Sequence, residues 1–484
     1  DIEAADIESG EGGETRPFVR GGGSDKPFIA QLGRRSMIGG YSEVHFRYER
    51  EEGVTEELLF EAKRFNLFTF TPVSERTRVA AELEFEEGGE EIKVELAILD
   101  FEIHPSFTFR GGIILSPLGR FNLSHDSPAN DLTDRPLVST RIIPTTLSEA
   151  GMGFYGAFNP APSWRITYEA YGVNGFNTDV LTGDPDGTRI PAGKGNFEDN
   201  NTRPAFVGRL AVSPTAPLEI AASVHTGPYN SWKVEGLRVD NKRDLTIFAL
   251  DWDYSWRRFE VLGEYAGAWI DVPRETPIFA DSQRGLYGQV NAHFAHGWIA
   301  TLPNSKLTGV VRYGAVDFDT DVDGDSQQRL TLGLNLRPEE DTVFKLDYQY
   351  NWLRDGFNNQ ARSAAVLFSA ATYVDLMRLP ELFCGFPRRR SQGPTFYPVA
   401  CSPQAWSAAT PLSLVQSCLG LGFDVQKEEI CLREPIMPAF LQNLTVSGLQ
   451  IGAGAVDIGF DRMDDKVVVR PLGRSGSARI VTIA

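Results

Sequence analysis

From Ile38 onward, apolar and polar residues alternate with a period of two, and clusters of Gly, Pro, Asn and Asp interrupt the alternation at intervals. Over residues 41–48 one face carries Val44, Phe46 and Tyr48, and the other Glu43, His45 and Arg47. Over 79–86, Val79, Ala81, Leu83 and Phe85 oppose Ala80, Glu82, Glu84 and Glu86. Further on, Thr246, Phe248, Leu250, Trp252 and Tyr254 oppose Asp251 and Asp253. About sixteen such runs predict strands near 38–49, 57–70, 77–87, 91–103, 106–116, 151–159, 163–173, 204–213, 218–228, 243–254, 257–270, 284–295, 306–317, 328–337, 342–353 and 363–374. A soluble sandwich would alternate as well, so the connections decide. One set is short, at 71–76, 103–105, 159–161, 213–216, 255–256 and 338–341. The other is long, at 117–150, 174–203, 227–242, 271–283, 317–327 and 353–362. Short turns at one end, long loops at the other and an even strand number mark a transmembrane barrel. The predicted fold class is all-β, a transmembrane antiparallel β-barrel of about 16 strands, followed by a C-terminal mixed α/β fragment. Tyr48, Phe70, Phe85, Phe158, Trp164, Trp256, Trp269, Trp352 and Tyr373 stand at or near predicted strand ends and are expected to form interface girdles.

Composition fits that reading. A chain of 484 residues has room for about three ordinary domains or one large barrel. No run of about 18 apolar residues occurs, which excludes helical membrane spans but not strands. The 47 Lys and Arg against 65 Asp and Glu give 47 − 65 = −18, which excludes a general nucleic-acid binder.

Residues 1–27 are acidic and Gly-rich and read as a disordered arm. The chain starts at Asp1 without an apolar leader, so an exported form is expected to have had its signal peptide removed or left out of this sequence. All four cysteines, Cys384, Cys401, Cys418 and Cys431, follow residue 383. Their spacing holds no C-x-x-C and no His partner, so a zinc site is not expected. They mark a change of character near residue 375, since four such thiols are more at home in a cytosolic enzyme. Asp319, Asp321, Asp323 and Asp325 match the first half of a calcium loop, but Leu330 stands where a bidentate Glu is needed. A solvated acidic loop tip is the expected state, with no metal and no cofactor. The six histidines are scattered, and neither a nucleophile triad nor a phosphate-binding Gly loop is visible.

One stretch is more specific. Gly111-Gly112-Ile113-Ile114-Leu115-Ser116-Pro117-Leu118-Gly119-Arg120-Phe121-Asn122 is followed by Asp134-Arg135-Pro136-Leu137-Val138 and then by Ile142-Ile143-Pro144-Thr145-Thr146-Leu147-Ser148-Glu149-Ala150-Gly151. It resembles outer-membrane porins of the phosphate-selective type. The segments 65–70, 72–76 and 83–86 fit the same family, and 363–373 looks like its closing strand. The resemblance covers about 28–374. It implies a sixteen-stranded channel, usually trimeric, in the bacterial outer membrane, with the third long loop folded inward to narrow the pore. Residues 117–150 follow the fifth predicted strand and are that loop. They carry Arg120, Asp126, Asp131, Asp134, Arg135, Arg141 and Glu149, the candidate pore constriction. Charges of both signs there would orient passing solutes, or would tie the loop to the wall by ordinary salt bridges. Phosphate-selective members use a basic lumen, whereas these inward faces carry many Glu and Asp.

Beyond Val374, Leu379-Pro380-Glu381-Leu382-Phe383-Cys384-Gly385-Phe386 and Tyr397-Pro398-Val399-Ala400-Cys401-Ser402-Pro403-Gln404-Ala405-Trp406 precede a predicted apolar helix over 411–419 and short strands to Ile483. This segment looks like the C-terminal end of bacterial amylo-α-1,6-glucosidases of the six-hairpin toroid class. The resemblance implies two carboxylic acids acting by inversion, with Glu381 at the general-base position. The family's acid lies upstream, in a part of the toroid that this chain lacks, so Glu381 is expected to be inactive. The tail is expected to be poorly folded, or at best a small β-rich remnant.

The domains are therefore read as an arm over 1–27, a barrel over 28–374 and a glucosidase-like fragment over 375–484. The expected function is a passive outer-membrane channel for small polar or charged solutes, not an enzyme, with membrane lipid, solutes and a homotrimer as partners. A debranching-type carbohydrate enzyme is the alternative that the tail alone would imply, and a soluble β-domain with a binding role is a third.

Overall fold

Alternation that puts carboxylates on one face and large apolar side chains on the other has two possible arrangements, and here the inner face is the polar one. The computed structural model describes residues 30–374 and 405–483, less 33–35, 75, 105, 162, 183–186, 216, 274–277, 303–304, 340, 439–440, 442 and 464–465. Sixteen strands form the barrel: β1 Ser36–Glu51, β2 Val54–Pro72, β3 Thr77–Glu86, β4 Glu91–His104, β5 Phe107–Leu115, β6 Ser148–Ala161, β7 Trp164–Val173, β8 Ala205–Thr215, β9 Leu218–Pro228, β10 Asp244–Trp256, β11 Phe259–Ile270, β12 Ser282–His296, β13 Lys306–Asp317, β14 Ser326–Arg337, β15 Thr342–Arg354 and β16 Gln360–Val374. Each pairs antiparallel with its neighbours in sequence. β16 returns to β1, from Ser363 opposite Glu51 to Val374 opposite Gly40, and closes the sheet without a free edge.

The phase read from the sequence holds. Glu82 and Asp251 are 1% exposed, while Val44 is 49% and Leu250 42% exposed. No described helix is long and apolar enough to cross a membrane.

The loop asymmetry also holds, with differences in detail. At the long-loop end the first two connections are tight, two residues at 52–53 and four at 87–90, so β1 and β2 form a tall hairpin. The third is the long one at 116–147. The turn expected at 255–256 is displaced to 257–258, because Trp256 pairs with Phe259 and continues the ladder. Two of the expected girdle aromatics, Phe70 and Tyr373, are buried inside the barrel. Standing at a strand end does not set the side a residue faces; its phase does, and Tyr373 pairs with inward Tyr41. Phe158, Trp164, Trp256, Trp269 and Trp352 are exposed.

The second unit has its own core. Helix α1, Ala405–Cys418, begins six residues before the start expected from Pro411. It is followed by β17 Leu421–Asp424, β18 Glu429–Arg433, β19 Asn443–Ile451, β20 Gly454–Met463, β21 Lys466–Ser475 and β22 Arg479–Ile483. β19–β21 form a meander, and β18 pairs antiparallel with β17 and parallel with β22. Leu419, Ile430, Leu432, Ile458 and Phe460 are buried between them. Cys418 is exposed, and both Cys418 and Cys431 are free.

Candidate functional site

An inward-facing charge in a barrel wall has to be paired or solvated. The wall does much of the pairing between strands that are adjacent or one apart. Arg110 donates from Nε and Nη2 to Asp100 at 2.8 and 2.9 Å, and the Tyr155 hydroxyl donates to the same carboxylate at 2.7 Å. Arg209 reaches Asp251 at 2.6 Å, and Arg64 lies between Glu43 and Glu84 at 3.2 and 3.3 Å.

The 116–147 loop, L3, lies inside the barrel. It leaves β5 through Gly119, whose φ of +68° is a left-handed conformation. A Cβ there would also come within 2.6 Å of the Glu264 carboxylate. Glu264 on β11 is the main latch. Its Oε2 accepts from the backbone N–H of Arg120 at 2.7 Å and of Phe121 at 3.1 Å, and its Oε1 accepts from the Ser139 hydroxyl at 2.8 Å. Two short helical turns, Arg120–Leu123 and Val138–Arg141, are held by this one carboxylate. Leu118, Val138, Ile142 and Ile143 then join inward apolar residues of β10 and β11 such as Ile247, Ala249 and Ala266 in one core.

The 174–204 loop, L4, adds to this filling. Phe176, Val180 and Ile190 are buried in the same core. Arg189 pairs with Asp325 at 3.0 Å, and the Thr188 hydroxyl donates to the Ala280 carbonyl at 2.9 Å. L3 and L4 thus fill one side of the lumen. A cavity of about 690 Å³ lies between L3 and β1–β3 and β14–β16.

The far limb of L3 faces that cavity. Asp131 is held by Asn291 at 2.6 Å, Asn335 at 3.1 Å and Arg337 at 3.4 Å. Lys345 donates to the Ser127 carbonyl at 2.8 Å, and Asp347 accepts from the Thr133 N–H at 2.6 Å. Asp134 meets Arg47 at 2.6 Å and Arg329 at 3.4 Å, while Arg312 donates to its carbonyl at 2.5 Å. Burial alone would raise the Asp134 carboxyl, but the Arg47 and Arg329 guanidiniums outweigh it and hold the group below its usual range. Arg47 is shared further, with Glu49 and Glu57 each at 3.3 Å.

The seven charged residues singled out in the sequence separate into two groups. Arg120 pairs with Asp253 at 2.5 Å, Asp126 accepts from the Tyr373 hydroxyl at 3.5 Å, and Asp131 binds the wall as above. Glu149 belongs to β6; its Oε1 lies 2.9 Å from His225 Nε2, and its other oxygen accepts from Ser116 at the base of L3. These four fasten the loop. Asp134, Arg135 and Arg141 line the cavity. Arg135 spends Nη1 on the Thr145 carbonyl at 3.1 Å, and its Nη2 is buried without a partner. Burial, and then the Arg64 charge, push the Arg135 guanidinium below its usual value. Sequence reasoning missed Arg47, Glu264, Arg312 and Arg329. All four sit in the polar phase of strands, a signal that marks them as inward but not as partners of L3.

Glu381 lies outside the described residues. The aspartates of the 318–325 loop do not converge: Asp325 is taken by Arg189, and the Asp319 carboxylate accepts from the Asp321 N–H at 3.0 Å. Among the described residues no group of three or more His, Cys, Asp or Glu is placed to hold a metal ion.

No protein-family model matches the chain. An uncharacterized protein of Aquifex aeolicus (strain VF5) is 30% identical over 370 residues, covering 70% of this chain and 80% of that protein. Among solved structures, the outer membrane channel DcaP of Acinetobacter baumannii is 15% identical, covers 72% of this chain and 99% of its own, and superposes with a TM-score of 0.49. An anion-selective porin from Comamonas acidovorans is 11% identical, with 69% and 99% covered and a TM-score of 0.46.

Proposed function

The chain belongs to the same family as the Aquifex aeolicus protein, and we propose that its barrel is a passive channel of the bacterial outer membrane for small polar or charged solutes. The observation that carries this is the inverted wall: charged side chains are buried inward and large apolar ones are exposed outward around a closed sheet. Such a surface suits lipid outside and water within. The conduction path in this reading is the 690 Å³ cavity beside L3, with Asp134, Arg135 and Arg141 in its lining. The trimer implied by the porin resemblance belongs to the same reading. Phosphate selectivity does not, because Glu43, Glu49, Glu51, Glu57 and Glu61 line this cavity among its Arg and Lys side chains, so the lining is of mixed sign rather than basic. The test is reconstitution of the full chain into planar bilayers, together with detergent-gel migration before and after heating. Discrete conductance and heat-modifiable migration are expected; a silent bilayer and a single unchanged band would sink the reading.

Two results follow within it. Asp134→Asn removes the counter-charge that Arg47 and Arg329 share and leaves Arg47 with Glu49 and Glu57, so the reversal potential in a salt gradient is expected to move toward anion selectivity. An unmoved potential would place Asp134 outside the ion path. Inverting glycosidases need an acid and a base roughly 6.5–9.5 Å apart, and Glu381 is the one residue of that pair matched in the sequence. No glucose release from limit dextrin is expected. Activity abolished by Glu381→Gln would make the enzyme reading the better one.

A further inference from the structure

We infer that residues 394–400 fold back along helix α1 and cover its apolar face, with Phe396 and Tyr397 against Leu412, Leu414 and Val415.

The sequence of α1, Ala405–Cys418, holds no Asp, Glu, Lys or Arg. Spacings of three and four put Leu412, Leu414, Val415 and Cys418 on one side of the helix, opposite Ser413 and Ser417. Such a stripe ordinarily faces a core. Here it faces outward: Leu412 is 73% exposed, Leu414 56% and Val415 38%, and Cys418 is exposed beside them. The buried core of this unit starts one residue past the helix, at Leu419, and takes no residue from α1. An apolar stripe of this kind marks a surface that something covers.

The chain itself supplies the cover. Residues 375–404 lie outside the described residues and run directly into Ala405. Their last four, Cys401-Ser402-Pro403-Gln404, contain the Ser-Pro pair of a turn. Before it stand Phe396-Tyr397-Pro398-Val399-Ala400, which carry no charge. A helix rises about 1.5 Å per residue, so Leu414 lies about 14 Å from Ala405 along the axis. An extended chain advances about 3.3 Å per residue, so one that turns back at Cys401 brings Tyr397 about 13 Å along the helix. Tyr397 is then level with Leu414, and Phe396 falls between Val415 and Cys418. The short tether gives this contact an effective concentration of about millimolar, which a second copy of the chain would have to match. The fold of the unit accordingly begins near residue 394 and not at the helix.

The test uses the full chain in detergent with Cys384→Ser, Cys401→Ser and Cys431→Ser, which leave Cys418 as the one thiol. Alkylation of Cys418 by a maleimide is expected to be about tenfold slower in this protein than in the same protein carrying Phe396→Asn/Tyr397→Asn. Amide-exchange protection of Ile430 and Ile458, which belong to the core beyond the helix, reports that the unit has stayed folded. Where that protection is lost, Phe396→Cys takes the place of the asparagine pair, and mild oxidation is expected to join it to Cys418 within one chain. Equal alkylation rates in the two folded forms, or a Phe396→Cys chain that does not cross-link, would overturn the inference. So would a rate that rises when the parent is diluted, which would put a second copy on the face instead.

Discussion

Glu264→Ala is expected to convert a steady single-channel current into one that fluctuates among larger levels. The Glu264 carboxylate accepts two backbone N–H groups and one hydroxyl from L3. It is fully buried, so water cannot simply replace it. Removing it strands two buried donors, Phe121 N–H and the Ser139 hydroxyl, at about 1–3 kcal/mol each, and the part-buried Arg120 N–H besides, enough to release the loop from β11. The apolar contacts of Ile142 and Ile143 remain, so the barrel itself should stay closed on a detergent gel. Glu264→Gln retains one carbonyl acceptor and should fall between the parent and the alanine variant. An alanine trace that matches the parent would show that apolar packing alone holds L3.

Leu83→Arg is expected to lower barrel stability in lipid by roughly 2–4 kcal/mol if the position lies near mid-bilayer. Leu83 pairs with Leu67 and Val94 on the outer face, while its neighbours Glu82 and Glu84 are buried inward. The substitution therefore exchanges an apolar contact with acyl chains for a charge. Equilibrium unfolding from phosphatidylcholine vesicles measures the difference. Free tolerance of Arg there would argue against the lipid-facing assignment, and with it against membrane residence.

The barrel was legible because a two-residue period reports both the strand and its faces, so Glu82 and Leu83 were assigned to opposite sides from the pattern alone. Strand ends were less legible. The ladder past Trp256 runs two residues beyond the expected turn because cross-strand pairing outlasts the alternation. Phe70 and Tyr373 were misplaced because an aromatic near a strand end suggests an interface only when its phase is also outward. In L3 the charges could be read but not their partners. Arg120 and Asp253 are separated by 133 residues in sequence, and nothing local to either distinguishes a fastening pair from a pair left facing the cavity. The tail was expected to be poorly folded or a small β-rich remnant, and six short strands with a buried core realise the second of these.

Closing the barrel joins Ser363 to Glu51, which are 363 − 51 = 312 residues apart. Every other pairing in the wall links strands adjacent in sequence, so this seam bears a larger loop-closure entropy than the others. L3 reaches both of its sides. Ser127 donates to Glu43 on β1 at 2.5 Å and its carbonyl accepts from Lys345 on β15, while the Thr133 hydroxyl lies 3.1 Å from that of Ser369 on β16. A loop anchored on β11 and extended across the seam brings the first and last strands together from within. The same segment that narrows the lumen of the finished barrel thus shortens the chain excursion needed to complete it.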